Sequence, residues 1–138
     1  MADALTISMQ VSSAGLEAQT QRMQIITQNV ANAGVTGNAP GSDPYSRKTI
    51  SFSEVLDRRT GVSSVEVSDL GVDRTPFPVK HDPYHVAADE NGMVKLSNVN
   101  TLMEMADMRE TIRYYEANLQ TAKQARELIT MTLDMMRS

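Results

Sequence analysis

The chain has 138 residues, a net charge of −4 and no cysteine. Without cysteine it can hold no disulfide framework, no thiolate zinc site and no cysteine nucleophile. Its basic residues form no stripe of the kind that binding to a phosphate backbone requires, so nucleic acid is excluded as a partner. Aromatic residues make up 4% of the chain and methionines number ten, a composition that favours packing between helices over a dense globular core.

The first predicted element is a long helix near the N-terminus. Apolar residues recur there in alternating steps of four and three, which is the a/d spacing of a coiled coil. Gly15 lowers the helix propensity by about 1 kcal/mol relative to Ala, and Gly34 tolerates the left-handed backbone that ends a helix. The residues assigned to this apolar seam and to its C-terminal end are Leu5, Met9, Leu16, Met23, Ile26, Asn29, Val30 and Asn32.

The central residues predict loops and short strands. Residues 34–44 are rich in Gly, Pro, Asn, Ser and Asp and predict a flexible connector. Alternation over residues 49–53, and valines bounded by glycines over residues 61–71, predict two short strands. The Asn91–Gly92 dipeptide predicts a hairpin turn. This part of the chain is therefore predicted to be a small β-rich lobe.

A second long helix follows, with Asn98 or Asn100 as its N-terminal cap. Glu104 and Asp107 are predicted to interact with the positive end of its dipole. The same three-four rhythm of apolar residues extends over more than four heptads, with Arg126 as the clear exception. The residues assigned to this seam are Met105, Met108, Ile112, Tyr115, Leu119, Ala122, Ile129, Leu133 and Met136.

Helix length decides the predicted architecture. At a rise of 1.5 Å per residue the two helices would be about 45 and 55 Å long, which exceeds the roughly 40 Å diameter of a compact domain of this size. We therefore predict a mainly α fold with a small β-rich lobe, in which the long terminal helices pair as a coiled coil around a central β and loop insertion. The predicted divisions are an N-terminal axial helix (1–34), a central β-rich lobe with a flexible connector (35–99) and a C-terminal axial helix (100–138).

Several segments together resemble one protein family. TQNVANAGV at residues 27–35 is similar to the signature that ends the first helix of the flagellar axial proteins, the rod, hook and hook-associated family. Three further segments extend the resemblance over nearly the whole chain and narrow it to a proximal rod subunit. They are GSDPYSRK at 41–48, HDPYHVAADENGMVKLSNVNTLMEMADM at 81–108 and RYYEAN at 113–118. The chain departs from the family pattern at three places. The family tends to have Pro where this chain has Val86, an aromatic residue where it has Met93, and Tyr-Pro where it has Leu96 and Ser97.

The resemblance implies a structural subunit of the bacterial flagellar rod, with no enzyme activity and no cofactor. Its terminal helices would pair within the subunit and pack against neighbours, forming a hollow drive shaft that transmits torque and passes exported subunits. The expected partners are further copies, other rod proteins, the basal-body ring and the flagellar type III export apparatus, without nucleic acid or a small-molecule substrate. Asn29 and Asn32 are predicted to hydrogen-bond to backbone at a junction between subunits.

The expected location is the periplasmic rod of the flagellar basal body, reached without a cleaved signal peptide. A secretory signal would place Lys or Arg before an apolar run, whereas the first basic residue is Arg22 and polar residues interrupt every apolar stretch. The sequence leaves a second function open, a coiled-coil adaptor or secretion chaperone that binds partner helices in the cytoplasm.

A third hypothesis is a small metal-dependent enzyme that uses the loop from His81 to Glu90. His81, Asp82, His85, Asp89 and Glu90 cluster within this loop. Histidines at i and i+4 chelate a metal on a helix, but the Pro between them makes a helix unfavourable here. Histidines that hydrogen-bond within a loop are therefore the favoured interpretation.

Overall fold

The structure, a computed structural model, describes residues 2–138, with the side chains of residues 4–138. In chain order it contains α1 (Ala2–Ala31), β1 (Lys48–Asp57), β2 (Val62–Val72), β3 (Val79–His81), β4 (Met93–Lys95) and α2 (Thr101–Arg137). β1 pairs with β2 in one two-stranded sheet, and β3 pairs with β4 in another. The predicted fold class, mainly helical with a small β region between two long helices, is confirmed.

Local hydrogen bonds set the ends of both helices. After α1, the backbone N–H of Asn32 still donates to the carbonyl of Gln28 at 3.0 Å. At the start of α2, the backbone N–H groups of Leu102 and Met103 donate to Asn100 Oδ1 at 3.1 and 3.4 Å, so Asn100 is the N-cap. Over the described residues, neither helix has an apolar stretch long enough to cross a membrane.

The first of two compact units contains α1 up to Met23, residues Ser51–Asp69 of the β1–β2 hairpin, and Arg109–Ser138. Arg22 Nη2 lies 3.7 Å from Glu110 Oε2, while Gly15 faces Asn118, so the two helices run antiparallel in this unit. The side chains buried in this unit are small or polar; they are Ser12, Ala18, Thr111 and Ala125. Such residues let two helix backbones approach closely.

The second unit contains Gln24–Ile50 and Leu70–Met108. Within it, β3 and β4 pair antiparallel, with His81 opposite Met93. They are joined by residues 82–92, and the Asn91–Gly92 dipeptide lies at the end of this longer loop, next to β4. Gly92 has a φ of 77°, and its N–H donates to the Asp89 carbonyl at 3.0 Å. A type I′ turn would also need a positive φ at Asn91, which Asn91 lacks.

The connector at residues 34–44 is an irregular loop held by hydrogen bonds. The N–H of Gly41 donates to the carbonyl of Ala87, and the N–H of Tyr45 donates to the carbonyl of Val35, both at 3.3 Å. A Cβ at Gly37 would lie 2.0 Å from Ser42 Oγ. Glycine is therefore required at position 37 for the loop to close on itself.

Candidate assembly surfaces and the Arg47 cluster

An ionic cluster in the second unit, here called the Arg47 cluster, contains Arg47, Asp73, Glu104 and Asp107. Arg47 Nε donates a hydrogen bond to Glu104 Oε1, and the Glu104 side chain is 1% exposed. The two terminal nitrogens of Arg47 lie 3.5 Å from Asp73 Oδ2 and 3.7 Å from Asp107 Oδ2. One guanidinium thus holds three carboxylates, including one that is buried and would be costly to leave unpaired.

Backbone hydrogen bonds fix the chain segments that carry this cluster. The N–H of Arg47 donates to Asn98 Oδ1 at 2.7 Å, and the N–H of Asp73 donates to the carbonyl of Arg47 at 2.8 Å. Asn98 Nδ2 donates to the carbonyls of Asp73 and Thr75 at 3.0 and 3.1 Å. Asn98, one of the two predicted helix caps, therefore ties the segment after β2 to the start of β1.

Electrostatics favour the charged forms of Arg47 and Asp73. Burial favours the neutral guanidinium, but the hydrogen bond and charge of Glu104, with the charges of Asp73 and Asp107, raise the pKa of Arg47 above its ordinary value. Hydrogen bonds from the Thr75 side chain and backbone, together with the charge of Arg47, hold the pKa of Asp73 below 3.8. Burial, assisted by the charge of Glu104, raises the pKa of Tyr45 above 10.0, so Tyr45 is a neutral hydrogen-bond donor.

Asn29 of α1 makes hydrogen bonds to this region through both the nitrogen and the oxygen of its side-chain amide. Its Nδ2 donates to the Lys48 carbonyl at 2.9 Å and to Glu104 Oε2 at 3.4 Å. Its Oδ1 accepts from Tyr45 Oη and from the Lys48 N–H, both at 2.8 Å. Asn29 is 1% exposed, so its amide has an internal role in the subunit; hydrogen bonds of Asn29 across a subunit junction stay a prediction.

The other predicted residues of α1 differ in burial. Asn32, the second predicted junction residue, donates its Nδ2 to the carbonyl of Gln28 at 2.8 Å and so stabilises the helix end. Ile26 is buried. The half-buried members of the predicted set are Leu5, Met9, Leu16, Met23, Val30 and Asn32.

The residues that α2 buries are not those of the predicted seam but their neighbours in the sequence. Glu104, Thr111 and Ala125 are buried, and each immediately precedes a position of the three-four pattern. Met108, Tyr115, Leu119, Ala122 and Ile129 are half-buried. The predicted seam residues that remain exposed in the subunit are Met105, Ile112, Leu133 and Met136. A step of one residue turns a helix by about 100°, so Met105 and Ile112 point away from the face that Glu104 and Thr111 bury.

The C-terminal end of α2 carries a surface that no part of the described chain covers. Every residue from Met131 to Ser138 is exposed, although the helix continues to Arg137. Leu128, Met131 and Met135 follow one another at steps of three and four, which places them on one helix face. These three residues are called the terminal stripe, and exposed apolar faces of this kind mark sites of protein association.

The loop from His81 to Glu90 has the hydrogen bonds of a folded loop. His85 Nδ1 accepts from the N–H of Ala87 at 3.0 Å, and its Nε2 lies 3.4 Å from Thr36 Oγ1. Asp89 Oδ1 accepts from two backbone N–H groups, those of Asn91 and Met93. Across residues 4–138 no group of three or more His, Cys, Asp or Glu side chains is arranged to hold a metal ion.

Comparison with known proteins places this architecture in a family. The family model described as flagellar basal body rod FlgEFG protein C-terminal matches residues 90–135, which include most of α2. The chain is 49% identical to the flagellar basal-body rod protein FlgC of Agrobacterium fabrum, over 99% of this chain and 98% of that protein. The chain belongs to the FlgC family of flagellar basal-body rod proteins. It is therefore a component of the flagellar basal-body rod, and its family is one of structural proteins.

More distant members of the FlgC family also align over most of their length. The FlgC of Borreliella burgdorferi is 36% identical over 80% of this chain and 84% of its own. The FlgC of Bacillus subtilis is 30% identical over 93% of this chain and 95% of its own. The resemblance read from the sequence segments is confirmed.

The sequence patterns do not indicate the Arg47 cluster. They place Arg47 only within the family-like segment at 41–48, and they assign Glu104 to the dipole of α2. Glu104 precedes Thr111 by seven residues, so the two lie on the same helix face, but the predicted apolar seam does not include that face. The partner of Glu104 could not be read, since Arg47 is 57 residues away in the chain.

Proposed function

We propose that this rod component polymerises through its terminal helices into the hollow, proximal part of the flagellar drive shaft, which transmits torque and passes exported subunits. Its partners in this proposal are further copies, other rod proteins and the basal-body ring. It reaches the periplasm through the flagellar type III export apparatus, without a cleaved signal peptide. Membership of the FlgC family carries the proposal.

Two features of the subunit support polymerisation. The Arg47 cluster pairs the buried Glu104 carboxylate of the second unit within one chain. Large apolar residues on α2, in contrast, are exposed, and Met105, Ile112 and Met136 are 51%, 40% and 79% exposed. A contact between two different surfaces of identical subunits that does not close on itself generates a helical filament. Repeated burial of these residues would give the shaft its stiffness.

The test compares adjacent positions on α2. Ile112 is exposed and Thr111 is fully buried. Ile112→Asp should leave the free energy of unfolding of the isolated subunit within about 0.5 kcal/mol of the wild type, yet abolish incorporation into purified basal bodies. Thr111→Asp introduces a buried charge and should instead unfold the subunit itself.

The readout is the amount of each variant in purified basal bodies, together with urea unfolding of the purified proteins. Wild-type incorporation of Ile112→Asp would contradict a role for this face in assembly. A wild-type chain found as a discrete cytoplasmic dimer, and absent from basal bodies, would favour the adaptor or chaperone function.

A further inference from the structure

The loop between β3 and β4, residues 82–92, contacts the connector at residues 34–44 through one short turn. The N–H of Gly41 in the connector donates to the carbonyl of Ala87 at 3.3 Å. His85 Nε2 lies 3.4 Å from the hydroxyl oxygen of Thr36, which is also in the connector. Ala87 is 2% exposed. The turn from His85 to Ala87 is therefore the part of the loop that is fixed to the rest of the second unit.

The hydrogen bonds of the His85 ring define its protonation state. A backbone N–H can only donate, so the bond of 3.0 Å from the Ala87 N–H to His85 Nδ1 requires that Nδ1 carries no proton. A neutral ring then has its proton on Nε2, from which it can be donated to Thr36 Oγ1. The turn therefore accommodates the neutral ring, and only one of its two tautomers.

A proton added to His85 is incompatible with this arrangement. Protonation places a second N–H at Nδ1, opposite the N–H of Ala87, and both groups are donors. The Ala87 N–H then loses its acceptor in a buried residue, which is unfavourable. Histidine is the side chain whose charge ordinarily changes between about pH 5 and pH 8. Mild acid therefore acts on the hydrogen bond that shapes the turn.

No carboxylate pairs with His85 to stabilise its protonated ring. Among residues 4–138, His85 takes part in no salt bridge. Asp89 Oδ1 already accepts from two backbone N–H groups, and the Asp43 carboxylate pairs with Lys95 at 2.9 Å. The titratable groups of the connector, the loop and the two strands beside His85 are Asp43, Lys80, His81, Asp82, Tyr84, Asp89, Glu90 and Lys95.

We propose that His85 is a pH-sensitive latch, which in its neutral form holds the turn of residues 85–87 against the connector and when protonated releases it. Tyr84 and Val86, on either side of His85, are 100% and 62% exposed. Release of the turn therefore changes how the loop presents both side chains at the surface. The latch belongs to the single subunit and operates whether or not the subunit polymerises.

The tautomer of His85 is the first test. The nitrogen chemical shifts of the ring, measured in the full-length protein at about pH 7.5, should show an unprotonated Nδ1 and a protonated Nε2. The spectrum of His81→Gln assigns the signals, because the chain has only two histidines. A proton on Nδ1 would overturn the proposal, since Nδ1 could not then accept from Ala87.

Hydrogen exchange of the Ala87 N–H tests the release. After correction for the intrinsic effect of pH, its protection should fall about fivefold between about pH 7.5 and pH 5.5, which corresponds to the loss of one hydrogen bond. His85→Gln carries no titratable ring, so the protection in this variant should not change with pH. His81→Gln is the matched control at an exposed position of β3, and it should respond to acid as the wild type does.

Two further outcomes overturn the latch. One is equal protection of the wild-type Ala87 N–H at both pH values. The other is an acid response that persists in His85→Gln, which would assign the titration to the carboxylates of the loop. The wild-type measurements decide the question even where His85→Gln does not fold. Thr36→Val removes the acceptor of the Nε2 proton and should lower the protection of the Ala87 N–H at neutral pH; unchanged protection would contradict the role of the connector.

Discussion

The two units of this chain are stabilised by different chemistry. In the second unit, buried polar groups converge on Arg47 and Asn29, and their hydrogen bonds are completed within the chain. In the first unit, the buried helix surfaces carry small residues, and large apolar side chains of α2 remain exposed. A satisfied polar interior fixes one conformation, whereas uncovered apolar side chains favour association. The comparison indicates that the two units differ in what they bury, whereas both leave large apolar side chains of α2 exposed, Met105 in the second unit and Ile112 in the first.

Removing the Arg47 guanidinium should produce the largest change in stability. Arg47→Ala leaves the buried Glu104 carboxylate without its cation and should lower the free energy of unfolding by about 3–5 kcal/mol. The measurement is urea unfolding followed by circular dichroism. Arg22→Ala is the matched control, because Arg22 also reaches a glutamate on α2 but Glu110 is 52% exposed. That loss should be about 1 kcal/mol or less, and equal losses for both variants would refute the difference between the units.

Asn29→Asp should have the next largest effect. The change removes the Nδ2 donor to the Lys48 carbonyl and brings a second carboxylate next to Glu104. A buried acceptor left unpaired costs about 1–3 kcal/mol, so the isolated subunit should be destabilised by at least that amount. Asn32→Asp is the control, because its amide bonds only within the last turn of α1; this variant should lose less than about 1 kcal/mol. A wild-type unfolding midpoint for Asn29→Asp would contradict the internal role of Asn29.

Gly15 tests the close approach of the helices in the first unit. Gly to Ala within a helix stabilises by about 1 kcal/mol from propensity alone, but a Cβ at Gly15 would lie 2.7 Å from Asn118 Nδ2. Gly15→Ala should therefore gain much less than 1 kcal/mol, and the gain should return when Asn118→Ala is combined with it. A double-mutant cycle should measure a coupling of at least about 0.5 kcal/mol.

Gly34→Ala serves as the control for the glycine substitution, since a Cβ there would meet no atom within 4 Å. Gly34→Ala should change the free energy of unfolding by the same amount with and without Asn118→Ala. Strict additivity of Gly15→Ala and Asn118→Ala would show that the helices can move apart without cost.

Acid should produce the smallest effect. The pKa of Asp73 is lower in the folded chain than its ordinary value of 3.8, so its contribution to stability is present above about pH 4 and is lost as the pH falls through the folded pKa. Asp73→Asn should therefore flatten the fall in unfolding temperature between about pH 4 and pH 2. An unchanged acid profile would show that the hydrogen bonds of Thr75 and the charge of Arg47 do not stabilise the ionised form.

Local patterns in the sequence determined much of this protein. The three-four rhythm of apolar residues predicted both long helices, alternation predicted β1, and valines bounded by glycines predicted β2, because these signals depend on residues close together in the chain. For the same reason the cap of α2 could be limited to Asn98 or Asn100, and the structure shows that it is Asn100. Segments between residues 27 and 118 were sufficient to indicate the flagellar axial family.

Tertiary structure alone decided which face of α2 is buried. The sequence pattern favoured Met105 and Ile112, yet Glu104 and Thr111 are the buried residues. Large apolar side chains indicate a surface that packs against another surface. The pattern does not say whether that second surface belongs to the same chain or to another chain. Glu104 can be buried because the segment before β1 brings Arg47 to it, a contact between residues 57 positions apart. Such a pairing depends on the whole fold, so no local periodicity could reveal it.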